Sequence, residues 1–196
     1  MRLSVWSSLV AAASLAVAVP GFSQVRPSAT QRSIPLIVGA GFSSFNVDFG
    51  GGRREDGGTV WADWTIRQVP NLLQGLGVEL EARDLSFNAP SSLPNMRYDT
   101  AGGGLIYHFL RTTKFHPYAK FDAQFGSIDF PGTPGYQHDT RGLISFGGGA
   151  DIHAWSSLWV RADYEYQMWQ PNLFGQTTSL TPNGFTFGPE WDFGTW

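Results

Sequence analysis

No cysteine occurs in the sequence, so no disulfide braces this chain. A small exported domain without disulfides needs another source of stability, and a sheet closed into a barrel supplies one. Charged residues make up only 15% of the chain, and no basic cluster interrupts its mild acidity. Nucleic acid is therefore not expected as a partner. Beyond the first residues, no stretch approaches the about 20 apolar residues that a membrane-spanning helix requires, which excludes a helical membrane protein.

The N-terminus carries a different signal. Met1-Arg2 is followed by an apolar run from Ser8 to Val19, with small residues Gly21 and Ser23 at the two positions a signal peptidase reads. Residues 1–23 read as a secretory signal peptide cleaved after Ser23, leaving 24–196 as one domain. Only Arg2 is charged in the removed segment, so the formal charge moves from -3 to -4. Glycine, at 24 residues, and aromatics, at 15%, are enriched together, as is common in sheets that face lipid.

Period-two alternation predicts eight strands, at about 34–48, 58–67, 75–87, 98–110, 116–128, 142–154, 158–168 and 184–196. In the seventh, Leu158, Val160, Ala162, Tyr164, Tyr166 and Met168 alternate with Trp159, Arg161, Asp163, Glu165 and Gln167. In the first, Leu36, Val38, Ala40 and Phe42 share a face until Ser43-Ser44, where the phase passes to Phe45, Val47 and Phe49; a β-bulge is expected there. The links Gly50–Gly57, Asn88–Arg97, Asp129–Arg141 and Gln170–Asn183 read as long polar loops, whereas Arg67–Gln74, Arg111–Lys114 and Trp155–Ser157 read as short turns. This alternation predicts an all-β fold, an eight-stranded antiparallel up-and-down transmembrane β-barrel in the outer membrane of a Gram-negative bacterium. An even strand number returns both termini to the periplasm.

The polar face carries Asp63, Glu79, Glu81, Arg83, Lys120, Asp122, Arg161, Asp163 and Glu165, with Glu190 and Asp192 on the last strand. A barrel of eight strands is filled by its own side chains, so these residues are expected inside as a polar network with Arg83, Lys120 and Arg161 as its cations. A soluble periplasmic barrel with an apolar ligand pocket would reverse the two faces; periodicity alone does not separate the two. Aromatic residues near strand ends, such as Phe109, Trp191 and Phe193, suit membrane-interface girdles.

The terminal strand sharpens this picture. Thr186, Gly188, Trp191 and Phe193 stand in the order polar, glycine, aromatic, aromatic. With Leu158–Gln167 and the entry to the last strand, Leu180 to Phe185, this resembles the small eight-stranded outer-membrane β-barrel family, similar to the OmpA transmembrane domain, over nearly the whole mature chain. The resemblance implies that these four residues form the signal read by the barrel assembly machinery. The peptidoglycan-binding domain that members of this family can carry is not expected here, a departure from the family pattern, so no cell-wall tether through it is implied. Pro189, within the signal, lacks the N–H of a paired strand.

Catalytic chemistry finds little support. The histidines, His108, His116, His138 and His153, do not form the His-x-Ser-Asn pattern of lipid A deacylases. His138, Asp139 and Asp129 on a predicted loop are a weak metal motif. Gly102-Gly103-Gly104 and Gly147-Gly148-Gly149 precede no helix and no Lys-Ser/Thr, so they read as strand glycines rather than phosphate loops. The reading is a non-catalytic outer-membrane barrel with no cofactor and no metal. It acts as a monomer in a structural or surface-interaction role through four external loops, with outer-membrane lipid, lipopolysaccharide and the barrel assembly machinery as partners. The alternatives are a lipid A-modifying enzyme in the same fold and the soluble periplasmic barrel.

Overall fold

The computed structural model describes residues 34–48, 54–67, 69–87, 96–110, 114–130, 137–175, 177 and 179–194. The signal peptide expected over 1–23 lies outside the described residues, as do Thr195 and Trp196. Among the described residues eight strands form: β1 (Leu36–Asn46), β2 (Arg54–Thr65), β3 (Leu76–Phe87), β4 (Arg97–His108), β5 (Phe115–Phe130), β6 (Gln137–Trp155), β7 (Leu158–Trp169) and β8 (Asn183–Asp192). Each pairs antiparallel with its neighbours in sequence, and β1 pairs with β8 to close the barrel. Closure leaves neither terminal strand with an open edge, which removes the aggregation hazard of the greasy last strand.

The alternation read from the sequence sets the two faces. Leu80 is 62% exposed, Phe125 72% and Phe187 56%, whereas Asp63, Glu79 and Glu165 are 1% exposed or less. The charged face is inside and the apolar face outside, which overturns the soluble barrel with an inward greasy pocket. Trp64, Phe109, Trp155, Trp191 and Phe193 stand exposed at the strand ends on the turn side, as an interfacial girdle requires.

Three expectations change. There is no bulge in β1, whose register runs unbroken from Leu36↔Trp64 to Asn46↔Arg54. Phe45 and Val47 instead face inward at full burial, because the interior turns apolar toward the loop end. The register shifts fall elsewhere, between Asp56 and Gly57 and between His153 and Trp155. The second change concerns the links. Arg54–Gly57 belongs to β2, and Gln137–Arg141 belongs to β6, leaving only 131–136 between β5 and β6. That loop is shorter than the 66–75 link at the opposite end, so link length alone does not mark the outer side; the long β5–β6 hairpin, rising past its neighbours, does. Third, His138 sits on a strand, not in a loop.

The seam between β1 and β8 carries the irregularity expected at Pro189. Pairing runs from Ile37↔Asp192 to Gly39↔Glu190, then resumes at Phe42↔Phe187. Ala40 and Gly41, opposite Pro189 and Gly188, are not paired, because proline offers no N–H to the ladder. Pro189→Val is expected to complete the ladder and to raise stability by about 1 kcal/mol, the net value of one hydrogen bond. A higher urea midpoint of the refolded protein checks this; an unchanged or lower midpoint shows that proline is not what interrupts the seam.

Candidate functional site

The interior is built from the inward positions of consecutive strands, and three cations organise it. Arg161, on β7, sits across the barrel from β2 and β3. Its Nη1 donates to Glu79 Oε2 at 2.8 Å, its Nε donates to Asp151 Oδ1 at 3.0 Å, and its Nη2 donates to Asp63. Glu190 Oε2 lies 3.2 Å from the same Nε and also accepts from Trp61 Nε1 at 3.0 Å. The guanidinium packs over the rings of Tyr118 and Trp61, 4.8 and 5.1 Å from their centroids, so its flat faces are covered as well as its edges.

Lys120, on β5, gathers a second set of carboxylates: Glu81 at 2.7 Å, Glu79 at 3.0 Å, Glu165 at 3.2 Å and Asp163 at 3.6 Å. Its stem needs a gap in the neighbouring strand, and Gly147 provides one. A Cβ there would come within 2.8 Å of Lys120 Cε. The triple glycine of β6 is thus a packing device, not a phosphate loop. Arg83 completes the lattice, meeting Glu81 at 2.6 Å and Glu165 at 3.2 Å while its Nε donates to Thr59. Glu79, Glu81 and Glu165 each serve two cations, so the three clusters form one connected lattice. A buried charge is tolerable only when paired and hydrogen-bonded, and this lattice meets that condition at its centre.

Eight of the nine residues expected in the polar network lie in this lattice. The ninth, Asp122, is buried but meets the Ser145 hydroxyl at 3.4 Å rather than a cation. Glu190, expected inside on the last strand, joins it, and so does Asp151, which the sequence reading did not name; Asp151 shares the inward phase of its strand, which was the available signal. His108 adds a further inward contact, its Nε2 2.9 Å from Asp151 Oδ2.

Above the lattice the lumen changes character. Phe45, Val47, Leu85, Met96, Tyr98, Ile128, Leu143 and Trp169 form an apolar cap with Leu173 and Leu180 from the 170–182 link. The sequence pattern did not reveal it, because an inward apolar residue looks like a break in alternation. A hydrogen-bonded chain joins the two layers: Trp169 Nε1 donates to Gln167 Oε1 at 2.9 Å, Tyr98 donates to the same oxygen, and Gln167 Nε2 donates to Glu165 at 2.7 Å. The link is latched over the mouth by Asp139, which accepts from Phe174 N at 2.7 Å and pairs with Arg141 at 3.0 Å. Asp139 thereby faces away from the Asp129–His138 pair, and the three residues of the weak metal motif do not converge.

On the outside, the apolar belt ends at a polar strip on β3–β6. Arg97 bridges Asp84, at 2.7 Å, and Asp99, at 3.2 Å. Next to it Asp129 pairs with His138, whose two ring nitrogens lie 3.2 Å from Ser127 Oγ and 3.2 Å from Thr140 Oγ1. On the last strand, Thr186 points inward and meets Ser43 Oγ at 2.7 Å, while Trp191 and Phe193 point outward. Gly188 allows close approach to β1, where a Cβ would lie 2.2 Å from Ala40 O.

Comparison with known proteins gives a consistent picture. A family profile described as outer membrane protein beta-barrel domain matches residues 9–193. Among solved structures, the chain is similar to Neisserial surface protein A, NspA, at 14% identity and a TM-score of 0.65, over 81% of this chain and 97% of that one. It is similar to Ail, the attachment invasion locus protein of Yersinia pestis, at 13% identity and a TM-score of 0.56, over 81% and 97%. The N-terminal β-barrel domain of Pseudomonas aeruginosa OprF is similar at 11% identity and a TM-score of 0.53, over 81% and 98%. At these identities the likeness is one of fold. No curated protein matches the sequence.

Proposed function

The chain belongs to the outer membrane protein β-barrel domain family, and we propose that its role in that membrane is non-catalytic: a monomeric stave of the envelope that presents its loop end to the surroundings. The observation that carries this reading is the filled lumen. The connected ion pairs of Arg161, Lys120 and Arg83 occupy the middle, and the apolar cap covers the mouth. The charged side chains of the lattice are committed to one another and buried. What faces outward among the described residues is the lipid belt and the polar strip, and the links that follow β1, β3, β5 and β7 belong to the loop end. Lipid, including lipopolysaccharide, meets the first two, external partners meet the links, and the barrel assembly machinery reads Thr186, Gly188, Trp191 and Phe193 during insertion.

Two measurements test the reading. The protein reconstituted in a planar bilayer is expected to give no stepwise conductance; stable unitary channels would overturn the filled-lumen argument. Lipid A from cells with and without the protein is expected to give identical mass spectra. An altered acyl pattern would establish the enzymatic alternative instead.

A further inference from the structure

Asp122 is fully buried in the lumen, yet the lattice gives it no cation. Of the charges that act on it, Glu79, Glu81 and Glu165 repel it and Lys120 attracts it. Lys120 is already shared by those three glutamates and Asp163. Among the described residues, buried carboxylates outnumber Arg83, Lys120 and Arg161 by more than two to one. An ionised carboxylate in such surroundings requires a further positive charge.

The side chains around Asp122 are arranged to receive one. Ser145, opposite Asp122 on β6, donates to Asp122 Oδ2 and accepts from Gln124 Nε2, both at 3.4 Å. One branch of each side chain is thereby turned toward β6, and the other branch, Asp122 Oδ1 or Gln124 Oε1, toward β4. There the facing residues are Gly104, opposite Asp122, and Gly102, opposite Gln124. A Cβ on Gly104 would come within 2.7 Å of Asp122 Oδ1, so the carboxylate leans over bare backbone. Thr100 is the next inward residue of β4 toward the loop end. Asp122 Oδ1, Gln124 Oε1 and Thr100 Oγ1 have no hydrogen-bond partner among the described residues, although the three side chains are at most 3% exposed. Buried oxygens without partners call for an explanation, and a bound ion is one.

We infer that Asp122, Gln124 and Thr100 hold a Ca²⁺ ion in the lumen, beneath the apolar cap. Water would satisfy the neutral oxygens but would leave the charge of Asp122 uncompensated. The donors are all oxygen, which selects a hard cation. A carboxylate, an amide carbonyl and a hydroxyl on two strands form an irregular set. Ca²⁺ accepts such sets, whereas Mg²⁺ demands a near-ideal octahedron and gives up its water reluctantly. The surplus of carboxylates favours a divalent ion over Na⁺. The first triple glycine, Gly102 to Gly104, then has a role: it clears the wall beside the ion.

The test uses the full barrel refolded in zwitterionic detergent micelles with Ca²⁺, with Mg²⁺ or with a chelator. Wild type refolded with Ca²⁺ is expected to retain one ion per chain by plasma mass spectrometry, and to unfold at a higher urea concentration than in the chelator. Asp122→Asn is expected to bind Ca²⁺ at least about tenfold less well and to show one urea midpoint in all three conditions. In the chelator it is expected to be at least as stable as wild type, because it removes a charge that has no partner. Thr100→Val keeps the carboxylate and is expected to weaken Ca²⁺ binding. Asp129→Asn, on the outer strip, is the control and is expected to respond as wild type does. A wild type that neither retains Ca²⁺ nor gains stability from it would overturn the site. So would an equal response to Mg²⁺, or a response that D129N loses and D122N keeps. Heat-modifiable migration on a gel is recorded for every variant: a wild-type chain that does not show it counts against the barrel itself, whereas a folded barrel indifferent to Ca²⁺ counts against this inference alone.

Discussion

Replacing Arg161 with methionine is expected to lower stability by roughly 3–5 kcal/mol, the usual consequence of removing one partner from a buried ion pair. Four carboxylates, Asp63, Glu79, Asp151 and Glu190, converge on this guanidinium, so its loss leaves several acids facing one another without their shared cation. A typical domain has only about 5–15 kcal/mol of stability in total, so most of the chain is expected to fail the heat-modifiable gel assay or to unfold at a much lower urea concentration. Arg161→Lys keeps the charge but not the planar fork that reaches opposite walls at once, and is expected to fall between the two. The lattice account fails if the methionine variant refolds with the wild-type midpoint.

Leu80→Arg is expected to lower stability by roughly 2–4 kcal/mol, the measured range for a cation on the lipid face of a barrel near the bilayer midplane. Leu80 stands 62% exposed on β3, midway between Leu76 at the turn end and Asp84 at the polar strip, and side chains at alternate positions of β3 share its face. The same substitution on the outer surface of a barrel in water would be nearly neutral. Ser179→Arg, exposed on the link between β7 and β8, is therefore the matched control and is expected to change nothing. Refolding into vesicles followed by urea titration of both variants separates the two situations; equal midpoints would remove lipid from the outer face.

The two faces were legible in the sequence wherever lipid lies on one side and the charge lattice on the other. Glu79, Glu81 and Arg83 alternate with Val78, Leu80 and Ala82 because the chemistry of the two sides differs there. Legibility failed where the two sides become alike. At the loop end of β1 both faces are apolar, so Phe45 and Val47 looked like a slipped register although they form part of the cap. At the loop end of β6 both faces are polar, so His138, Asp139, Thr140 and Arg141 looked like a loop although they continue the strand. The members of the lattice could be read from their phase, but their pairing could not. Arg161 and Asp63 lie 98 residues apart and meet only because β2 and β7 face each other across a closed barrel. The oxygen-lined site beside Asp122 was equally hidden, since it arises from cross-strand neighbours and not from any run along one strand.

Because the chain has no native cysteine, single cysteines can be placed at will and labelled with a nitroxide. With labels at positions 60, 80, 121 and 187 on the outer wall of the reconstituted protein, the most direct test is which relaxation agent reaches them. The account predicts strong collision with oxygen, which concentrates in lipid, and almost none with a water-soluble nickel chelate. Ready access of the chelate to all four labels would contradict it.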